Sequence, residues 1–196
     1  MDDYEVLWLD GGEQISQAAG VTARAMRDSP NSMAVSSDPF VRLEMLYETF
    51  GEMLSDARVA GVRRGTCVLG VAGAVQPGHC IESMLPEEVR TLDEPSSEAT
   101  DAQRFLYSGS VMAAHDLPEP HWHVGPVGIE PGFQGMGLGR AAMRLLCGDF
   151  DEHHRTAWLE TDKPENVRFY SGLGFEVAEE VAMLASRFWF MRREAQ

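Results

Sequence analysis

The stretch GFQGMGLGR, residues 132–140, holds four glycines in nine residues and lies between an apolar run and a helical pattern. Glycines directly before a helix leave backbone amides open to a ligand, because no Cβ shields them. The first amides of a helix lack intrahelical partners and carry the positive end of the helix dipole, which favours an anion and above all a phosphate. A strand is predicted shortly before the stretch and a helix directly after it. The stretch therefore indicates a phosphate-binding loop rather than a flexible linker.

Two common phosphate-binding patterns fit this loop poorly. A nucleoside-triphosphate loop ends in Gly-Lys-Ser/Thr, whereas this loop ends in Gly139-Arg140-Ala141. A dinucleotide fingerprint counted from Gly137 would place Ala142 at its third small position, which that pattern tolerates, so this alternative stays open. Against it, the loop follows a strand more than 120 residues into the chain, with no second βαβ half behind it.

The patterns around the loop predict a single α/β (α+β) domain over residues 1–196. We expect strands at 4–9, at two segments joined by a turn at Arg64-Gly65, and at 121–129, 156–161 and 187–193. Helices are predicted at 12–27, ended by the turn cluster DSPNS, from Asp38 onward, at about 97–115, after the glycine loop, and from Lys163 to a stop at Gly172 and Gly174. In the helix after Asp38, Pro39 fits the first position, and a core-facing stripe is predicted, comprising Leu43, Leu46, Tyr47, Phe50, Met53, Leu54 and Ala57.

Composition and charge exclude several classes of function. The chain is 44% hydrophobic with a formal net charge of -15 and a pI near 4.7. This balance is globular and argues against a nucleic-acid partner, while an acidic surface could attract a cationic amine. We expect no membrane span and, from the acidic N-terminus, a cytoplasmic protein. The three cysteines lack CxxC spacing, so we expect buried inert thiols and neither a disulfide framework nor structural zinc.

Two motifs in the second half resemble those of the GNAT superfamily, the acyl-CoA-dependent N-acyltransferases. The segment from Gln134 to Gly139 matches the family's Q/R-x-x-G-x-G/A signature, and ENVRFYSGLGFE matches its later N-x-x-x-Y and G-F segment. The close match covers about residues 121–176, which would form the cofactor-binding core. The resemblance implies a mixed, mostly antiparallel central sheet flanked by helices, with the fourth and fifth strands splayed apart.

The resemblance also implies how acetyl-CoA would be held. The loop amides would bind the pyrophosphate, the splayed fourth strand would pair with the pantetheine arm, and Asn166 would contact the cofactor near that arm. Arg140 could lie opposite a phosphate or, equally, pair with a surface carboxylate. The cofactor-binding residues implied in this way are Val127, Gly128, Ile129, Gln134, Gly135, Met136, Gly137, Leu138, Gly139, Arg140 and Asn166.

Amine acylation needs an acid for the leaving thiolate and a base for the amine. Tyr170 resembles the family's tyrosine general acid, although the same side chain could serve only as packing beside Phe169 and Phe175. Candidate bases are His121, His123 and Glu130, on or beside the splayed strand. The two histidines share one strand face and could begin a metal site, but no third ligand has suitable spacing, so we expect no metal.

The sequence therefore predicts an acetyl-CoA-dependent N-acetyltransferase acting on the primary amine of a small molecule. Alternatives are another acyl donor or an oxygen acceptor, and a non-catalytic acyl-CoA-binding or sensor module on the same fold. The acceptor is not encoded in a motif. We expect the N-terminal helices and the polar segment 85–118 to shape its pocket and cover it, and an exposed sheet edge could pair two copies into a homodimer.

Overall fold

The computed structural model describes residues 3–81 and 85–196, which form a seven-stranded mixed sheet. The strand order is β1-β2-β3-β4-β5-β7-β6, and every pair is antiparallel except β4 with β5. The sheet is not closed into a barrel. The strands are β1 (Glu5–Trp8), β2 (Arg58–Arg64), β3 (Cys67–Val75), β4 (Trp122–Ile129), β5 (Ala157–Thr161), β6 (Glu176–Met183) and β7 (Ser186–Arg193).

Six α-helices among the described residues cover the sheet. They are α1 (Gly12–Met26), α2 (Pro30–Val35), α3 (Pro39–Ser55), α4 (Asp101–Ala114), α5 (Leu138–Glu152) and α6 (Pro164–Ser171), with short 3-10 turns at Glu87–Val89 and Pro131–Phe133. One core forms where α5, Tyr170 of α6 and Phe175 pack on β2 to β5 and β7, and a second forms where α1 and α3 pack on β2 and β3. This architecture confirms the predicted fold class.

The fourth and fifth strands separate soon after they meet. Only Trp122 with Ala157 and His123 with Trp158 are in register, and from Val124 to Ile129 the strand β4 is paired on the β3 side alone. Gly125, Pro126 and Gly128 are poor ladder residues, which favours this separation. The predicted splay is confirmed, and it opens a gap in the middle of the sheet.

Gly128 lets helix α1 lie directly on the splayed strand. A Cβ built at Gly128 would approach the Thr22 Cα to 2.9 Å and the Ala25 Cβ to 3.1 Å, closer than packed atoms tolerate. Thr22 itself is fully buried and its hydroxyl donates back to the carbonyl of Ala18. The close approach fixes α1 as one wall beside the gap.

Two elements differ from the sequence prediction. The DSPNS cluster does not simply end a helix, because Ser29 caps a further short helix, α2, and Pro30 occupies its first turn. Strand β6 was not predicted, because it is an edge strand whose residues face solvent along most of its length. Its side chains therefore show no apolar alternation, and only its pairing with β7 defines it.

Two predictions about burial were wrong. Cys67 is exposed, while Cys80 and Cys147 are buried as expected, and all three are free of disulfides. Tyr47 does not face the core, since it is 44% exposed and its hydroxyl forms a hydrogen bond with that of Ser16, whereas Phe50 on the same helix is buried.

No helix within the described ranges is long and apolar enough to cross a membrane.

Candidate active site

A cavity of about 750 Å³ fills the gap between the splayed strands. One half is lined by β4, by the glycine loop and by α6, and the other half by α1, α2, α3 and α4. The predicted polar segment thus contributes a real helix, α4, which begins with a capping box between Thr100 and Gln103 and lines the second half. The cavity runs from a phosphate-type loop to an enclosure built by the helices.

The glycine loop presents a row of unpaired amides. Gly135 and Gly137 adopt φ values of 78° and 83°, and Gly137 is the left-handed residue before α5. Within the described ranges, the N–H groups of residues 134–140 donate to no carbonyl, because they lie in the loop or in the first turn of α5. The Gln134 side chain pins the loop by donating to the Ile129 carbonyl at 3.2 Å. This cradle fits the diphosphate of a nucleotide-containing cofactor.

The remaining residues predicted to bind the cofactor lie around the same cavity, with one exception. Val127, Gly128 and Ile129 line it with the edge of β4 that β5 leaves unpaired, and Asn166 lines it while donating to Thr161 Oγ1 at 3.0 Å. Met136 is half exposed and does not line the cavity.

Arg140 forms no ion pair with a carboxylate among the described residues, and its place opposite a phosphate stays a prediction. Its guanidinium donates to the Gly172 carbonyl at 3.3 Å and lies over the Phe169 ring, rather than pairing with a carboxylate. The side chain still borders the cavity at the end of the loop.

Tyr170 is a buried phenol at the wall of the cavity. Its ring makes edge contacts with Phe169 and Phe175, so the packing role is present, and its side chain also lines the cavity. Burial raises the pKa of Tyr170, and the charges of Glu160 and Asp162 raise it further. The phenol therefore stays protonated, which is the form that a general acid needs.

Glu160 and Asp162 are acidic cavity residues that sequence reasoning missed. Glu160 follows the apolar residues of β5, Asp162 comes directly after the strand, and both line the cavity. Asp162 accepts a hydrogen bond from the Asn31 amide at 2.8 Å, which ties β5 to α2. The sequence shows two carboxylates at the end of a predicted strand. Only the separation of β4 from β5 shows that this strand end borders a cavity.

The three candidate bases lie in different places. Glu130 lies outside the cavity lining and is held by Arg24, whose guanidinium donates to both carboxylate oxygens. His123 is buried on β4 with its Nε2 2.9 Å from Glu160 Oε2, an ion-pair distance without hydrogen-bond alignment. His121, two residues earlier, faces a second cavity of about 430 Å³.

Both histidines are held by Asp116, which the sequence analysis also missed. Its Oδ1 lies 2.8 Å from His121 Nε2 and 3.3 Å from His123 Nδ1. Burial disfavours the charged form of both rings. The carboxylate of Asp116 favours the charged form of both histidines, and that of Glu160 favours the charged form of His123. The pKa of each histidine is raised to about 10. In return the pKa of Asp116 lies below its usual range despite burial, because both imidazoles stabilise its charge.

A third potential metal ligand comes from a distant part of the chain. Cys80, Asp116 and His121 each present one ligand atom within 4.8 Å of the others. Cys80 is 41 residues from His121, so local spacing could not reveal the cluster. The expectation that the protein carries no metal stays a prediction.

The comparisons with known proteins agree with this geometry. The profile of the Acetyltransferase (GNAT) family matches residues 34–175, more than half of the chain. The chain therefore belongs to the GNAT acetyltransferase family.

Solved structures of acetyltransferases share the fold over its full extent. A polyamine N-acetyltransferase of Drosophila melanogaster, which forms N-acetylagmatine, superposes with a TM-score of 0.68 at 16% identity, covering 98% of this chain and 100% of that one. An agmatine N-acetyltransferase variant in its apo form gives 0.69 at 16%, with the same coverage. A ribosomal-protein alanine N-acetyltransferase of Escherichia coli gives 0.57 at 15%, covering 98% and 94%. At such identities the likeness is one of fold alone.

Proposed function

We propose that this protein is an acetyl-CoA-dependent N-acetyltransferase that acetylates the primary amine of a small cationic molecule. The observation that carries the proposal is the single cavity that joins the unpaired amides of residues 134–140 to Tyr170, Glu160 and Asp162. Acetyl-CoA, when bound, supplies the acetyl group as an activated thioester. The chain's own residues bind it, orient the amine and handle the protons.

The loop and strand β4 suit the two parts of coenzyme A. The amides after Gln134 can donate to the diphosphate, and the first turn of α5 adds its dipole. The free edge of β4 from Val124 to Ile129 offers backbone groups to the amide-bearing arm, as an added strand would pair. Asn166, whose amide is positioned by Thr161, lies at the wall of the same channel.

Tyr170 supplies the proton that the leaving thiolate needs. Its raised pKa keeps the phenol protonated at neutral pH, and its place on α6 borders the cavity. A general acid of this kind contributes on the order of 10²- to 10⁴-fold to a rate.

The acceptor half of the cavity favours a cation with an apolar body. Glu160 and Asp162 lie beside apolar walls from α1, α3 and α4, among them Met26, Phe50 and Met112. Carboxylates in such a partly enclosed site attract an ammonium group more strongly than they would in water. Two structural neighbours are agmatine or polyamine acetyltransferases by name, which supports a small amine as acceptor.

The test is a panel of amines assayed for thiol release from acetyl-CoA. The panel pairs each diamine or guanidino-amine with a neutral amine of similar length, and adds a peptide with a free N-terminus. We expect the cationic small amines to be acetylated at their primary nitrogen, with the product confirmed by mass spectrometry. Binding of coenzyme A in calorimetry without transfer to any amine would instead establish a non-catalytic binding module.

A further inference from the structure

The described part of the molecule contains a second cavity, of about 430 Å³. It is lined by the turn after β3 and by the segment between α4 and β4, with Cys80, Asp116 and His121 among its lining residues. Neither the glycine loop nor Tyr170 borders it, so the proposed acetyl transfer leaves this cavity without a role. A ligand for the second cavity must therefore be inferred from the side chains that line it.

Three side chains that commonly bind metal ions meet at this cavity. Cys80, Asp116 and His121 each present one ligand atom, and the three atoms lie within 4.8 Å of one another. Thiolate, carboxylate and imidazole are the groups that bind Zn²⁺ in proteins. The expectation of no metal depended on the lack of a third ligand at local spacing. The fold supplies that ligand, because it brings Cys80 to His121 from 41 residues away.

The distances within the cluster are close to those around a tetrahedral ion. Cys80 Sγ lies 3.4 Å from His121 Nε2. With the usual bond lengths of about 2.3 Å to sulfur and about 2.0 Å to nitrogen, these two atoms lie about 3.5 Å apart around tetrahedral zinc. Asp116 Oδ1 lies 2.8 Å from the same nitrogen. A bound ion would replace the proton between these two atoms and hold them slightly farther apart.

Neighbouring groups fix the orientation of two of the three ligands. His121 Nδ1 donates to the Glu119 carbonyl at 2.9 Å, which leaves Nε2 to face Asp116. Asp116 Oδ1 in turn lies 3.3 Å from Nδ1 of His123, which holds the carboxylate from the other side. Metal-binding histidines and carboxylates are usually held by such outer hydrogen bonds, which set the ring nitrogen and the rotamer that the ion needs.

Burial disfavours these groups when no ion is bound. The side chains of Asp116 and His121 are only 4% and 3% exposed. Asp116 Oδ2 is buried and has no hydrogen-bond partner within the described ranges, although its residue borders the cavity. A buried carboxylate oxygen without a partner destabilises a fold. A divalent ion would supply that partner, and the charges of one thiolate and one carboxylate would balance its own.

We propose that Cys80, Asp116 and His121 bind one zinc-type divalent ion, with a water from the second cavity as the fourth ligand. Three protein ligands and one water are an established set for zinc. The ion joins the turn after β3 to both ends of the segment between α4 and β4. Because only the folded chain brings the three ligands together, binding of the ion stabilises the fold. The proposal does not depend on acetyl transfer.

Titration of the metal-free full chain with zinc in a calorimeter tests the site. We expect one ion per chain and a higher melting temperature when zinc is bound. Cys80→Ser and His121→Gln should bind zinc about 100-fold more weakly or not at all, because each removes one of three ligands. Cys67→Ser and His153→Gln are the matched controls. Each changes a more exposed residue of the same type outside the cluster, so both should bind zinc as wild type does.

Cobalt substitution tests the identity of the ligands. Co²⁺ at this site should give a thiolate-to-metal charge-transfer band in the near ultraviolet, together with the visible bands of a four-coordinate ion. The charge-transfer band should be present in wild type and in Cys67→Ser, and absent in Cys80→Ser.

Three results would overturn the metal site. The first is metal-free wild type that takes up no stoichiometric zinc, and the second is wild-type zinc affinity in folded Cys80→Ser or His121→Gln. The third is a cobalt complex of wild type without a charge-transfer band, which decides the matter even if those two variants fail to fold. Each measurement is made without an amine substrate, so failure of the metal site is distinct from failure of the proposed acetyltransferase function.

Discussion

Tyr170 combines a packing role with the proposed role of general acid. Its ring is fixed between Phe169 and Phe175, and this packing holds the phenol at the cavity wall. The same burial, together with Glu160 and Asp162, raises its pKa and keeps its proton in place. The two interpretations offered by the sequence, aromatic packing and general acid, are therefore compatible, because fixed packing is what orients a donor.

Replacing Tyr170 with Phe tests the acid without disturbing the packing. We expect kcat to fall by about 10²-fold or more, because the leaving thiolate loses its proton donor. The affinity for coenzyme A should be unchanged, as measured by calorimetry. Tyr47→Phe is the matched control, since Tyr47 is a half-exposed phenol outside the site that should retain full activity. A Tyr170→Phe enzyme with wild-type kcat would remove Tyr170 from the mechanism.

The loop and its helix work as one element. Position 137 requires glycine because of its backbone conformation and not because a larger side chain would clash. A Cβ there would meet no atom within 4 Å, but the residue would have to adopt a φ of 83°. A left-handed conformation costs a residue with a Cβ about 1–2 kcal/mol. Relaxation of that strain would turn the amides of the first turn away from the site.

Gly137→Ala should therefore weaken coenzyme A binding by about tenfold, following from the 1–2 kcal/mol strain. Gly132→Ala is the matched control, because Gly132 lies in the same loop, has equally open space, and has no positive φ. Titration calorimetry with coenzyme A compares the two. Equal affinities in two folded variants would contradict the amide cradle.

At the scale of the whole molecule, the buried cluster of Asp116, His121 and His123 couples stability to pH in the metal-free protein. His121 and His123 have a pKa of about 10 in the folded protein and an ordinary value of 6.5 when unfolded. A pKa that is higher in the folded state means stabilisation that is complete below pH 6.5 and is lost as the pH rises through 10. Cys147, whose pKa burial raises to about 11, acts in the same direction.

The free energy of unfolding should fall by several kcal/mol between pH 7 and pH 10, because each of the two imidazoles loses about 1.4 kcal/mol of stabilisation per pH unit over most of that range. Chemical denaturation at a series of pH values measures it. Asp116→Asn should give a shallower fall, because the imidazoles lose the carboxylate they share. His153→Gln, which changes a half-exposed histidine at the end of α5, should follow wild type. Parallel curves for Asp116→Asn and wild type would show that the buried imidazoles do not hold their protons this strongly.

Much of the fold was predictable because its signals are local. Asp38 and Pro39 start α3, the Arg64-Gly65 turn joins β2 to β3, and the glycine loop precedes α5, all within a few residues. Helix α2 and strand β6 escaped prediction, because one lies in a cluster of turn-forming residues and the other is a solvent-facing edge. Their conformation depends on neighbours that the local pattern does not contain.

The primary structure alone specified the loop, the splayed strand and the tyrosine, since the bare amides, the poor ladder residues and the phenol are properties of short segments. Folding alone brought Glu160 and Asp162 to the cavity and placed Asp116 between two histidines. Asp116 is separated from Glu160 by 44 positions, and their connection through His123 exists only because β4 and β5 meet for two residues before they diverge. GFQGMGLGR thus defines how the proposed donor is held, whereas the acidic side chains around the proposed acceptor are placed by contacts distant in sequence.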